Sequence, residues 1–232
     1  MTQDPVLERY LAGVDLVRGR GDPERARLCV MTLVSRLGGE AHTDRPATAS
    51  PAVAAFARTV NDAMDRATRQ RLIAFAPRLR GTNDGRDVAR QALLHATLTE
   101  TLLPAAVRDL RAAGGAVPAG RDAEALVAVV DALRTAATTA EQARIARNGA
   151  WDDAALIQPL RAAVAAHAAG DSVTHAEAVA RVLAAAVGGV ARPSRRDWYW
   201  DLAIATLDAL CEPSGEGATP VTTTREAVGE VP

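Results

Sequence analysis

An all-α fold is predicted by three features of this chain. Apolar residues recur at helical spacing, helix-start and helix-stop chemistry punctuates them, and no alternating apolar run with turn residues stands out. The expected architecture is a compact bundle of about eight helices. It divides into an N-terminal half (1–113) carrying the G-E-A-H-T-D-R-P loop and an alanine-rich C-terminal half (121–211), followed by a disordered tail over 212–232. At 232 residues, such a chain leaves about 30% of its extended surface exposed and needs no disulfide or structural metal. Aromatics are only 3% of residues, so the core falls to Leu, Val and Ala.

Taken in order, Asp4-Pro5 starts a helix over 5–17 with Val6, Leu7, Tyr10, Leu11, Val14 and Val17 on its apolar side. Asp22-Pro23 repeats the start signal, Leu28 to Leu37 supplies the next stripe, and Gly38-Gly39 stops it, because glycine accepts the left-handed backbone of a helix end. Cys29 falls mid-helix on this reading. Ser50-Pro51 opens a helix with Val53, Phe56, Ala57, Val60 and Met64 in register, and Asp65 caps a continuation through Leu79. The stretch 81–85 is a turn by composition. Asp87 opens a long helix that Pro104 kinks or splits near Leu103. The linker-like stretch 114–120 precedes helices expected over 122–147, from Asp152 or Asp153 to 169, from Ser172 or Thr174 to 187, and over 197–211.

Charge and composition exclude several functions. Formal net charge is -1 with charges spread along the chain, which argues against nucleic-acid binding. Every basic side chain is arginine, as expected from a GC-rich genome. No apolar run approaches the roughly eighteen residues of a membrane span, and the N-terminus is not a signal peptide. Cys29 and Cys211 lack C-x-x-C partners and read as buried free thiols of a cytoplasmic protein. There is no G-x-S-x-G, no G-x-G-x-x-G after a strand and no P-loop, so no cofactor is expected.

Two constellations remain as candidate sites. Glu40, His42, Asp44 and Arg45 lie within six residues, and the next helix adds Arg58, Asn61 and Asp62. Glu, His and Asp are metal ligands and acid/base groups, so this set reads either as a small acid/His enzyme site or as a structural network pinning the loop to the helix. Asp62 has Arg58 and Arg66 one turn to either side for ion pairs. The second constellation is Trp198-Tyr199-Trp200 beside Arg195 and Arg196, which reads as a partner-binding patch or as filler between alanine-rich helices, with Trp151 as a packing partner. His95, His167 and His175 are scattered and are expected to act singly, as surface or satisfied core residues, so no metal site is expected.

The segments C-V-M-T-L-V-S-R-L-G-G-E-A-H-T-D-R-P, S-P-A-V-A-A-F-A-R-T-V-N-D and A-P-R-L-R-G-T resemble an all-helical family of GC-rich bacterial genomes. Its pattern is a C-V-M helix, a G-E-x-x-[ST]-D-x-P loop, an F-x-R-x-x-N-D helix and a G-T turn. The matching positions are Cys29, Glu40, Asp44, Pro46, Pro51, Phe56, Arg58, Asn61, Asp62, Gly81 and Thr82. The likeness is good over 29–82 and loose beyond. The family's tryptophans after the G-T turn are missing, and its alanine/tryptophan repeats are weak here. The resemblance implies a helical fold and assigns no activity. The function expected from the sequence is a cytoplasmic module, without catalysis, that binds a protein partner or a ligand. A sensor of a small apolar ligand held between helices, or an enzyme using the 40–45 loop and helix 58–62, are the alternatives.

Overall fold

The structure, a computed structural model, describes residues 5–112, 157–189, 193–212 and 220–223. The chain begins with α1 (Pro5–Ala12), shorter than its apolar stripe predicts. Gly13 ends it, and Asp15–Leu16 becomes strand β1 instead of a further helical turn. Two more two-residue strands follow, β2 (Gly21–Asp22) and β3 (Arg27–Leu28), in the order β1-β3-β2. β1 runs parallel to β3 and β2 antiparallel to it. Strands this short carry no alternation to read, and this small sheet is a local addition to a fold that is all-α as expected. Gly21 has φ +76°, and a Cβ there would collide with the Arg27 backbone, so β2 can lie against β3 only as glycine.

Cys29 is not mid-helix. It is the N-cap of α2 (Val30–Leu37), its Sγ accepting from Thr32 N at 3.4 Å. Leu28 belongs to β3, so the apolar run 28–37 is split between strand and helix, both buried. Gly38 and Gly39 end α2 as predicted, Gly39 at φ +69°. In α3 (Pro51–Ala63), the Ser50 hydroxyl accepts from Val53 N, and in α4 (Arg66–Gln70), Asp65 accepts from Thr68 N. A 3-10 turn (Arg71–Phe75) joins α4 to α5 (Ala76–Leu79).

The long helix splits where Pro104 requires. α6 (Asp87–Ala96) leads into a wide π-helical turn (Thr97–Leu102), and α7 (Leu103–Ala112) resumes with Pro104 at its second position. Proline has no N–H to give the Glu100 carbonyl, and its ring presses on that turn, which widens. The stretches 113–156, 213–219 and 224–232 lie outside the described residues. With them go the linker at 114–120, the helix over 122–147, Trp151, the caps Asp152 and Asp153, and most of the tail. Of the tail, Val221 packs on the core, and its N–H donates to Thr97 Oγ1 at 3.2 Å.

α8 (Ile157–Ala168) and α9 (Ser172–Gly189) form a tight hairpin, followed by α10 (Pro193–Cys211). The cap of α9 is Asp171, not Ser172 or Thr174, its carboxylate accepting from Thr174 N at 2.9 Å. α9 lies against α3, α6 and α8, while α10 lies against α3, α6 and α9. One hydrophobic cluster therefore runs from Leu16 through Leu33, Phe56 and Leu94 to Leu183 and Leu207. Alanines on α9 (Ala176, Ala180) are fully buried, which lets its backbone approach its neighbours closely. Among the described residues, no helix is long and apolar enough to cross a membrane.

Candidate metal centre

The predicted loop residues separate into local sets. Glu40 Oε2 accepts from Ala47 N at 2.7 Å, and its Oε1 from Thr48 N and the Thr48 hydroxyl at 3.1 and 2.7 Å. The Thr48 hydroxyl, then the Ala47 N–H, hold the Glu40 carboxyl below its ordinary range. Glu40 thus closes its own loop. Asp44 pairs with Arg58 at 3.8 Å, and Arg58 also donates to the Asp44 carbonyl. His42 is exposed, and its carbonyl accepts from Arg20. Arg45 is exposed, its N–H bonded to Thr43 Oγ1.

Asn61 is buried and serves a different end of the structure. It accepts from Val30 N at 3.2 Å and donates to the Val17 carbonyl at 2.9 Å, joining α2, α3 and the β1–β2 connection. Asp62 accepts from Asn61 and from Gly19 N. No hydrogen bond or ion pair joins Glu40, Asp44 and Asp62 to one another among the described residues, so they are not one network. Nor does Asp62 take Arg58 or Arg66, since Arg58 goes to Asp44 and Arg66 to Asp15.

The aromatic triplet is mostly interior. Tyr199 and Trp200 are buried and Trp198 is half-buried. Arg195 clasps Asp109 with Nε and a terminal nitrogen, and lies over the Trp198 ring at 4.6 Å. The Tyr199 hydroxyl donates to the same carboxylate at 2.7 Å. Burial, then that hydrogen bond, raises the Tyr199 pKa. Arg196 is exposed on the same helix. This set fastens α10 to α7.

The strongest chemical constellation lies elsewhere. His95 sits in the last turn of α6, His167 in the last turn of α8 and His175 in the first turn of α9. The α8–α9 turn, with Gly170 at φ +70° and the Asp171 cap, sets the last two side by side with ring centroids 5.1 Å apart. Gln91, one turn before His95, donates to the His167 carbonyl at 3.4 Å and ties α6 to the hairpin. His95 and His167 then stack at 3.6 Å, and His95 and His175 lie 5.8 Å apart. One nitrogen from each ring falls within 4.8 Å of the other two.

All three imidazoles are held neutral. Burial lowers His95 to about 3, reinforced by the other two rings, and lowers His175 to about 4. Burial lowers His167 as well. The tautomer of His175 follows from geometry: its Nδ1 lies 2.9 Å from the Ala163 carbonyl, which can only accept, so Nδ1 carries the hydrogen and Nε2 a bare lone pair. That Nε2 is buried without a hydrogen-bond partner, as are Nδ1 of His95 and Nδ1 of His167.

No protein-family model matches, and neither curated proteins nor solved structures yield a match.

The histidines expected to act singly are therefore a cluster, and they are not satisfied core residues, since each keeps an unpartnered buried nitrogen. One local signal for it existed. His167 and His175 flank the A-A-G-D turn, and helices reversing there place the two residues next to each other. For His95 there was none, because its partners depend on how α6 packs on the hairpin.

Proposed function

We propose that this protein binds a divalent transition-metal ion through His95, His167 and His175. The observation that carries the reading is three neutral imidazoles, each with a buried, unpartnered nitrogen, converging from three helices. An unsatisfied buried polar atom costs about 1–3 kcal/mol, and three in one place call for a compensating ligand. Imidazole nitrogens suit zinc, copper, nickel and iron, and the neutral form is the one that binds. The Nδ1–H of His175 on the Ala163 carbonyl is the outer contact that orients a ligating histidine.

This refines the ligand-binding module expected from sequence, with an ion in place of an apolar ligand. Three protein ligands leave a fourth position for water or a small molecule, and His95 and His167 are only half-buried, so that position faces outward. The free thiols Cys29 and Cys211 agree with a reducing cytoplasmic location.

Calorimetric titration of the metal-free chain with Zn²⁺ and Co²⁺ tests the reading. The expected result is one ion per chain, with affinity falling at least tenfold in His95→Ala and in His175→Ala. Absence of stoichiometric binding, or equal binding by both variants, overturns it.

A further inference from the structure

A pocket of about 570 Å³ opens between the small sheet and α4, well away in the chain from the histidines. Its lining is Asp15, Val17, Arg18, Arg27, Arg66 and Arg69, four cations against one carboxylate. The arginines come from three directions: Arg18 from the β1–β2 connection, Arg27 from β3, and Arg66 and Arg69 from α4. α4 is fixed in place because Gln70 accepts from Leu16 N and donates to the Leu16 carbonyl, at 2.9 and 3.0 Å.

Arg69 is the unusual member. It is only 6% exposed, and its Nε and one terminal nitrogen donate to the carbonyls of Asn61 and Met64, both at 2.6 Å. These partners are neutral, so they orient the guanidinium without cancelling its charge. Burial, then the nearby Arg18 charge, lowers the Arg69 pKa, and the charges of Asp62, Asp65 and Asp15 offset this only in part. The two acids closest along α3–α4 are committed elsewhere: Asp62 to Gly19 N and Asn61, Asp65 to the cap of α4. Asp15 is shared between Arg66 at 3.2 Å and Arg27 at 3.8 Å.

We propose that this pocket binds a phosphate-bearing small anion, with Arg69 as the preset base of the site and Arg18, Arg27 and Arg66 closing on it from the rim. A planar carboxylate is satisfied by one bidentate arginine, whereas a tetrahedral phosphate accepts guanidinium groups from several directions, as these are arranged. The pocket has the volume of a small-molecule site and one apolar lining residue, Val17, so recognition rests on charge.

The test titrates the full chain with inorganic phosphate and with pyrophosphate at constant ionic strength. Arginine Nε–Hε NMR signals and calorimetry report binding, and citrate serves as the polycarboxylate control. Saturable binding is expected, with citrate weaker and the Arg69 signal shifted. Replacing the exposed rim cations, in an Arg18→Ala/Arg66→Ala variant, weakens phosphate binding by roughly tenfold or more without disturbing the buried Arg69 contacts. Asp15→Asn moves the other way and tightens it severalfold by releasing Arg27 and Arg66. Shifts that never saturate, citrate binding as tightly as phosphate, or a rim variant that titrates like the parent would each overturn the proposal.

Discussion

The imidazoles of His95 and His167 stack 3.6 Å apart and within 6° of parallel, although they come from helices distant in the chain. A metal ion lies near the plane of each imidazole that binds it, about 2.0–2.1 Å from the nitrogen. Two parallel rings at van der Waals spacing cannot both aim a lone pair at one ion. Loading the site therefore fans the two rings apart about their side-chain torsions. Histidine-selective NMR during Zn²⁺ titration should show the mutual ring-current shifts of His95 and His167 disappear. Their persistence at saturation would contradict shared ligation.

The same rings make stability depend on pH. His95 and His175 have folded-state values of about 3 and about 4, below the ordinary 6.5, so the unfolded chain takes up protons first as pH falls. Stability from this source is complete above pH 6.5 and is lost from there down to about pH 4 for His175 and about pH 3 for His95. For the fully buried His175 alone, the loss at pH 5 is about 2 kcal/mol. Urea unfolding at pH 7 and pH 5 measures it, and His175→Gln should flatten the difference.

Proton release on metal binding gives a separate check. Because the three imidazoles are already neutral at pH 7, Zn²⁺ displaces almost no protons from them. Calorimetric enthalpies in buffers of different ionisation enthalpy should coincide. A dependence corresponding to one proton per ion would place a thiol or bound water among the ligands.

Arg90 supplies a stability prediction independent of any ligand. Its side chain is fully buried, donates to both oxygens of Asp84 at 2.6 and 3.0 Å, and holds the Leu210 carbonyl at 3.0 Å. Arg90→Ala empties a fully buried site and leaves the Leu210 carbonyl at the end of α10 without its donor, at a cost of about 2–5 kcal/mol, while the exposed Asp84 carboxylate turns to water. Arg66→Ala, which removes an exposed pair with Asp15, should cost about 1 kcal/mol or less. Denaturant midpoints of the two variants compare them directly.

Asn61 should behave as a core residue despite its polarity. Asn61→Leu leaves Val30 N–H and the Val17 carbonyl without their partner, costing about 2–4 kcal/mol by the loss of two buried hydrogen bonds. Thermal unfolding reports it. Little change would mean that water reaches both groups.

Much of the helical framework was readable because its signals are local. Ser50-Pro51, Asp65, Gly38-Gly39 and Pro104 act through their own backbone geometry within one or two turns, and each does in the structure what its chemistry predicts. The small sheet was not readable, since β1, β2 and β3 are two residues each and exist through pairing across the chain. The candidate site depends on the same long-range packing. Glu40, Asp44 and Asp62 lie close together in sequence, yet each finds a nearby partner and they separate.

By itself, the sequence determined that this is a helical protein, where several of its helices start and stop, and that its core is made of aliphatic and alanine side chains. Those properties follow from residue-level propensity and from apolar periodicity. Only the tertiary structure decided that His95 meets His167 and His175, that Arg69 is buried among neutral carbonyls, and that Tyr199 faces inward. Such juxtapositions depend on the angle and register at which helices pack, and those are set jointly by the whole core, not by any stretch of chain within it.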